Sequence, residues 1–286
     1  MIATNTRSFD DRRLLKQPGM FQPFEVTGSG EPLKNAGLSA ATELLVFERA
    51  GERRALLRRE MAYHHLAQGS LGGEPYIISF CGVCNSGVGL TPIVDGKTFH
   101  FRAGGLYNGV VILTDDETGT YWDHITGTAV YGPLAGKQLE NWGIAMTTVG
   151  AALEQEPEMM LLRSRQQQMT SWLMERLQWL FGKTNFLPKF FLQTMGKTDY
   201  RLPKMAMGVG VVIDGEARFY SKTAIGESIG EGITEDWNGE TLYIRFGGSD
   251  RIPYAAWNDG TRPFQLYLRW YGFSLTFPNC SVYGLA

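Results

Sequence analysis

From Glu43 onward the chain alternates short apolar runs with glycine-centred turns. "ELLVFERAGERRALL" sets two apolar stretches around Ala50-Gly51 and predicts a β-hairpin. "RREMAYHHLAQG" changes to helical spacing and predicts a short helix stopped at Gly69. "GGEPYIISF" is a buried-strand pattern that runs directly into the cysteine turn "CGVC". "VGLTPIVDGKTFHFRA" predicts a second hairpin turning at Asp95-Gly96, and "GVVILTDDETGTYWDHITG" a third turning near Glu117 to Gly119. Strand–turn–strand spacing of this kind favours a β-rich α+β protein over alternating βαβ units. Residues 1–42, with scattered Gly and Pro, read as an irregular arm.

The pattern occurs twice. "VFERAGERRALLRREMAYHHLAQGSLGGEPYIISFCGVC" and "VVIDGEARFYSKTAIGESIGEGITEDWNGETLYIRFGGSD" each hold a hairpin turning at Gly-Glu, a short helix, and a second Gly-Glu opening an apolar strand that ends in Phe. Gly51-Glu52 corresponds to Gly215-Glu216, and Gly73-Glu74 to Gly239-Glu240. The expected organisation is therefore a first unit at 43–157, a helical aromatic insert at 158–198 and a second, related unit at 199–286. The two units are expected to pack pseudo-symmetrically in one globule. The copies differ where chemistry would sit: His64, Cys81 and Cys84 of the first face Ser228, Gly247 and Asp250 of the second. All three soft donors are present together or absent together, which suits one site in the first unit.

The insert places Met169, Trp172, Leu173, Arg176, Leu177 and Leu180 at helical spacing, followed by the aromatic run "NFLPKFFLQTMG" broken at Pro188. A helical hairpin packed on the core is the plain expectation. A homodimer contact or a membrane-surface patch through 166–192 is the sharper one.

Composition narrows the classes. With 43% hydrophobic and 20% charged residues the chain has the balance of a folded domain, and its 286 residues suffice for a large core. A net charge of −2 argues against a nucleic-acid binder acting through a basic field. The polar N-terminus lacks a signal-like apolar stretch, and no run approaches a transmembrane span. Three cysteines make no disulfide framework, so a reducing cytoplasm is the expected compartment. Walker, dinucleotide, nucleophile-elbow and H-E-x-x-H motifs are missing from the sequence.

"GEPYIISFCGVCNSGV" with "GGLYNGVVILTDDETGTYWDHITGTAVYGPLAGKQL" resembles the domain-of-unknown-function family number 3179. The likeness is strong over about 43–157 and weaker over about 199–283. Gly82 and Asn85 stand where that family commonly has Pro and Gly, and Tyr63-His64 approximates its Trp-His pair. The resemblance supports a site at the cysteines and assigns no reaction.

Three readings of Cys81 and Cys84 stay open: a metal clamp, a thiol–disulfide switch and a pair of packed thiols. A turn with two intervening residues lets both sulfurs converge on one ion, and His64 would supply a third donor. Soft sulfur favours a copper ion, with a zinc ion as the alternative. The leading expectation is a metal-dependent redox enzyme or oxygen-using oxidase acting on a small-molecule substrate. The alternative is a non-catalytic metal-binding or thiol-redox module. His124 shares a strand face with Trp122 and is a candidate ligand or base. Asp123 could orient an imidazole, and Tyr107, after the Gly104-Gly105 pair, could orient substrate. His65 points away from His64, while His100 and Cys280 read as a solvated side chain and a packed thiol.

Overall fold

The computed structural model describes residues 9–17, 21–22, 24–26, 29–165, 187–228 and 232–285. The predicted stripe from Met169 to Leu180 lies outside the described residues. Among those described, strands dominate and form six sheets, with short helices between them.

Two-residue turns build the hairpins. The pairs Arg49↔Glu52, Leu71↔Glu74, Val94↔Lys97, Tyr107↔Val110, Ile213↔Glu216 and Trp237↔Glu240 each close over two residues of positive φ. That backbone matches the right-handed twist of the flanking strands, and Asn-Gly, Asp-Gly and Gly-Gly reach it with least strain. The hairpin turns expected at Ala50-Gly51 and Asp95-Gly96 are both present. The third expected hairpin pairs Val110–Asp115 with Tyr121–Asp123.

One helix boundary differs from the sequence expectation. The helix is Arg58–His64, and it ends at His65, whose φ of 63° turns the chain out of the helix. Leu66–Leu71 is a strand paired with Glu74–Cys81. The Gly72-Gly73 turn makes that pairing available, and the cross-strand partners outweigh the helical spacing of "HLAQG". Gly69 is a strand residue opposite Tyr76, where an added Cβ would stand 2.8 Å from the tyrosine Oη.

The two stretches compared in the sequence hold elements in a similar order. Glu43–Arg49, Glu52–Leu57, helix Arg58–His64, Leu66–Leu71 and Glu74–Cys81 make up the first series. Met207–Ile213, Glu216–Ser221, helix Lys222–Glu227, Ile233–Trp237 and Glu240–Phe246 make up the second. Each series then leads through a turn into a further antiparallel strand, Ser86–Thr91 in the first and Pro253–Trp257 in the second. One buried cluster draws side chains from both series and from later elements: Ile77 and Val88, Leu113 and Trp122, Phe219, and Leu268, Trp270 and Phe273. Of the insert, residues 158–165 and 187–198 are described: Met160–Leu162 is not helical but a strand paired parallel with Glu52–Leu57, and the helix Lys189–Gln193 behind Pro188 buries Phe191 and exposes Phe190 and Leu192. No helix among the described residues is long and apolar enough to cross a membrane.

Candidate functional site

The Glu74–Cys81 strand lies inside a four-stranded sheet, between Leu66–Leu71 and Ser86–Thr91. From Tyr76 to Cys81 every residue is buried, which explains why the run is apolar apart from Ser79. The chain reverses over 82–85 and returns with Cys81 opposite Ser86. Asn85 takes φ 58°, a left-handed conformation that asparagine tolerates and glycine adopts freely. Asparagine therefore fits the turn without opening it. Its side chain fastens the reversal: Oδ1 accepts from Arg58 Nε and Nη2 at 3.0 and 2.8 Å, and Nδ2 donates to the Tyr267 carbonyl at 3.0 Å.

Cys81 and Cys84 are both buried beneath Leu187, Phe191, Met205 and Tyr271. The helix Trp270–Thr276 packs so closely that a Cβ at Gly272 would lie 3.0 Å from the Cys84 Cβ. The two thiols differ in environment. Burial acts to raise the Cys81 thiol, but hydrogen bonds from the Cys84 thiol and from the N–H groups of Cys84, Val111 and Val83 outweigh it. The net direction for Cys81 is downward. Burial pushes Cys84 up, reinforced by its hydrogen bond to Cys81 and by the charge there, while Ser86 opposes the rise. A nest of backbone N–H groups thus does for Cys81 what a helix N-terminus does in other Cys-x-x-Cys sites.

Behind Cys84 runs a buried chain of polar side chains. Cys84 Sγ is 2.8 Å from Ser86 Oγ, Ser86 Oγ is 3.0 Å from His124 Nε2, and His124 Nδ1 is 3.2 Å from Ser79 Oγ. Ser79 donates to the His65 carbonyl at 3.5 Å. A carbonyl only accepts, so it sets the direction of the whole chain. With its proton given to that carbonyl, Ser79 accepts from Nδ1–H, which leaves Nε2 as acceptor for the Ser86 hydroxyl. This tautomer is assigned from the network. Burial, aided by His65, lowers His124 to about 3, so its imidazole is neutral across the ordinary range.

The other predicted site residues are distributed differently. His64 is buried with Nδ1 2.7 Å from the Gln22 carbonyl, and its ring meets Phe24 and Tyr63 edge-on. Burial lowers its pKa. Among the described residues no group of three His, Cys, Asp or Glu side chains is placed to hold a metal ion. The structure thus brings Cys81 and Cys84 together and leaves His64 engaged elsewhere. Asp123 caps its own turn, accepting from the N–H groups of Ile125 and Thr126 at 2.9 and 2.7 Å. Tyr107 Oη accepts from Asp10 N–H and Arg13 Nη2, each at 3.1 Å, with its ring stacked on Phe9. Tyr107 and Asp123 line one small cavity of about 70 Å³ together with Arg13 and Asn108. His124 lies in the turn just after the Tyr121–Asp123 strand, not on a strand face shared with Trp122, and reaches Cys84 through Ser86.

His65 bonds the Phe80 carbonyl at 3.0 Å, His100 is exposed beside Glu117, and Cys280 is buried near Arg201. Ser79, Ser86 and Gly272 escaped the sequence reading. The signals for the two serines were present: Ser79 interrupts the apolar run of "YIISF", and Ser86 follows the cysteine turn directly. Gly272 carried no such signal, because its role depends on a helix distant in sequence.

No curated protein and no solved structure matches the chain. The family described as "Protein of unknown function (DUF3179)" matches residues 27–261, most of the chain, and the chain belongs to that family.

Proposed function

We propose that the protein is a thiol–disulfide redox module in which Cys81 is the nucleophile and Cys84 the resolving thiol. The observation that carries this reading is a pair of buried cysteines on one turn, with N–H groups of Cys84, Val111 and Val83 directed at Cys81 and Ser86 Oγ 2.8 Å from Cys84 Sγ; the contacts lower the Cys81 thiol, and burial raises Cys84. The Cys81 thiolate attacks one sulfur of a small disulfide, breaking its S–S bond and releasing one thiolate. With Cys81 now bonded, its charge no longer opposes ionisation of Cys84. The Cys84 thiol, its sulfur held beside Ser86 Oγ, gives its proton to the first released thiolate and attacks the Cys81 sulfur, which releases the second thiolate. The Cys84 proton ends on one released thiol and a solvent proton on the other, and the chain keeps a Cys81–Cys84 disulfide. Burial of both sulfurs favours a small-molecule partner. The second unit, packed pseudo-symmetrically and without cysteines in its turn, serves as scaffold.

The test is to equilibrate the full chain in mixtures of reduced and oxidised dithiothreitol, then trap thiols by alkylation and read them by mass spectrometry. Reversible loss of two hydrogens mapped to Cys81 and Cys84, abolished in Cys81→Ser, is the expected result. No disulfide at any ratio overturns the reading. Metal analysis of the same preparation separates the competing proposal. About one equivalent of copper or zinc, lost in Cys81→Ser and in His64→Ala, would favour a metal-dependent oxidase.

A further inference from the structure

The turn that carries the cysteines in the first unit has its counterpart at 247–252 in the second. There it lines a cleft of about 680 Å³. That volume falls within the 300–1,000 Å³ range typical of small-molecule sites, which often lie where two units meet. Its walls come from both series of elements: Phe47 and Trp142 on one side, Tyr254 and Tyr267 on the other. Thr147 Oγ1 donates to Asp250 Oδ2 at 2.8 Å and Ser249 Oγ to Glu154 Oε2 at 2.8 Å, so the turn is bolted across the junction.

One charged group in the cleft faces a ring instead of a carboxylate. The Arg262 guanidinium lies 4.3 Å from the Tyr254 ring centroid. Arg53 and Arg245 add like charge around it, and Asp250 acts across space with its oxygens already taken by Thr147 and the Ile252 N–H. Arg53 is matched by Glu156 at 3.1 Å. A guanidinium laid on an aromatic face keeps its in-plane N–H donors available, the geometry that takes a carboxylate or sulfonate in a bidentate manner.

We propose that this cleft binds a small organic anion with a flat ring body, its acid group on Arg262 and its ring between the aromatic walls. The site is independent of the thiol chemistry.

The test uses 8-anilinonaphthalene-1-sulfonate, an aromatic sulfonate whose fluorescence reports binding, titrated into the full chain. Saturable one-to-one binding is expected, weakened about tenfold in Arg262→Ala, or about 1.4 kcal/mol, and less in Arg262→Lys. Gly248 lines the same cleft, and a Cβ there meets nothing within 4 Å, so Gly248→Phe fills space without disturbing the turn. It should weaken binding by a similar factor with an unchanged melting temperature. Absence of saturable binding, or wild-type affinity kept in Arg262→Ala and in Gly248→Phe, overturns the proposal. Should Arg262→Ala fail to fold, Gly248→Phe decides alone.

Discussion

Replacing Ser86 with alanine tests the buried polar chain most directly. The hydroxyl fills two roles, donating to His124 Nε2 at 3.0 Å and lying 2.8 Å from Cys84 Sγ. Alanine removes one oxygen, a small volume, and the transfer of the remaining methyl is nearly neutral. The dominant cost is the orphaned imidazole nitrogen of the fully buried His124. Leaving a buried acceptor unsatisfied costs about 1–3 kcal/mol, and the weak S–H donor adds little. With a urea m-value of about 2 kcal/mol/M the midpoint of the reduced protein should fall by roughly 1 M. Ser79→Ala orphans the other ring nitrogen and should cost a similar amount. The two serines act through one imidazole, so the double variant should cost less than the sum, with a coupling of about 0.5–3 kcal/mol. Costs that add to within about 0.3–0.5 kcal/mol would show that the serines are not joined through His124, and the assigned chain would be wrong.

Four further outcomes follow from the same geometry. Asn85→Gly should keep the turn but lose the two bonds from Arg58, costing about 1–3 kcal/mol, whereas Asn85→Val adds left-handed strain and should cost more by chemical denaturation. Gly272→Ala sets a helix-propensity gain of about 1 kcal/mol against overpacking of about 1–3 kcal/mol; net destabilisation with slower Cys84 alkylation is expected, and a gain in melting temperature would refute the contact. Burial lowers His65 to about 4 and His124 to about 3, from an ordinary value of 6.5. The unfolded chain therefore binds more protons between pH 6.5 and these values, and stability should fall on acidification through that window by about 1.4 kcal/mol per pH unit per histidine. Denaturation at pH 7 and pH 5 checks the sign, which should weaken in His65→Gln. Finally, Cys81 should react with iodoacetamide at lower pH than Cys84, and a reversed order by peptide mapping would exchange the two roles.

The local code of this chain was strong wherever a few adjacent residues decide the backbone. Asp95-Gly96 and Ala50-Gly51 specify their turns because two positive-φ positions suit few residue types, and the apolar run to Cys81 specifies a buried strand. The similar order of elements in the two stretches is legible for the same reason, since Gly-Glu pairs mark the same turns in both. What the residues alone left open was which distant side chains meet. Helical spacing carried "HLAQG" towards helix, and pairing with the next strand decided for sheet. His64 and Cys81 lie close in sequence, yet helix packing turned the imidazole to the Gln22 carbonyl. His124, from another hairpin, came to Cys84 through Ser86 instead. Backbone conformation is fixed largely by short-range sterics, whereas a site is a meeting of side chains whose directions depend on every element packed against them.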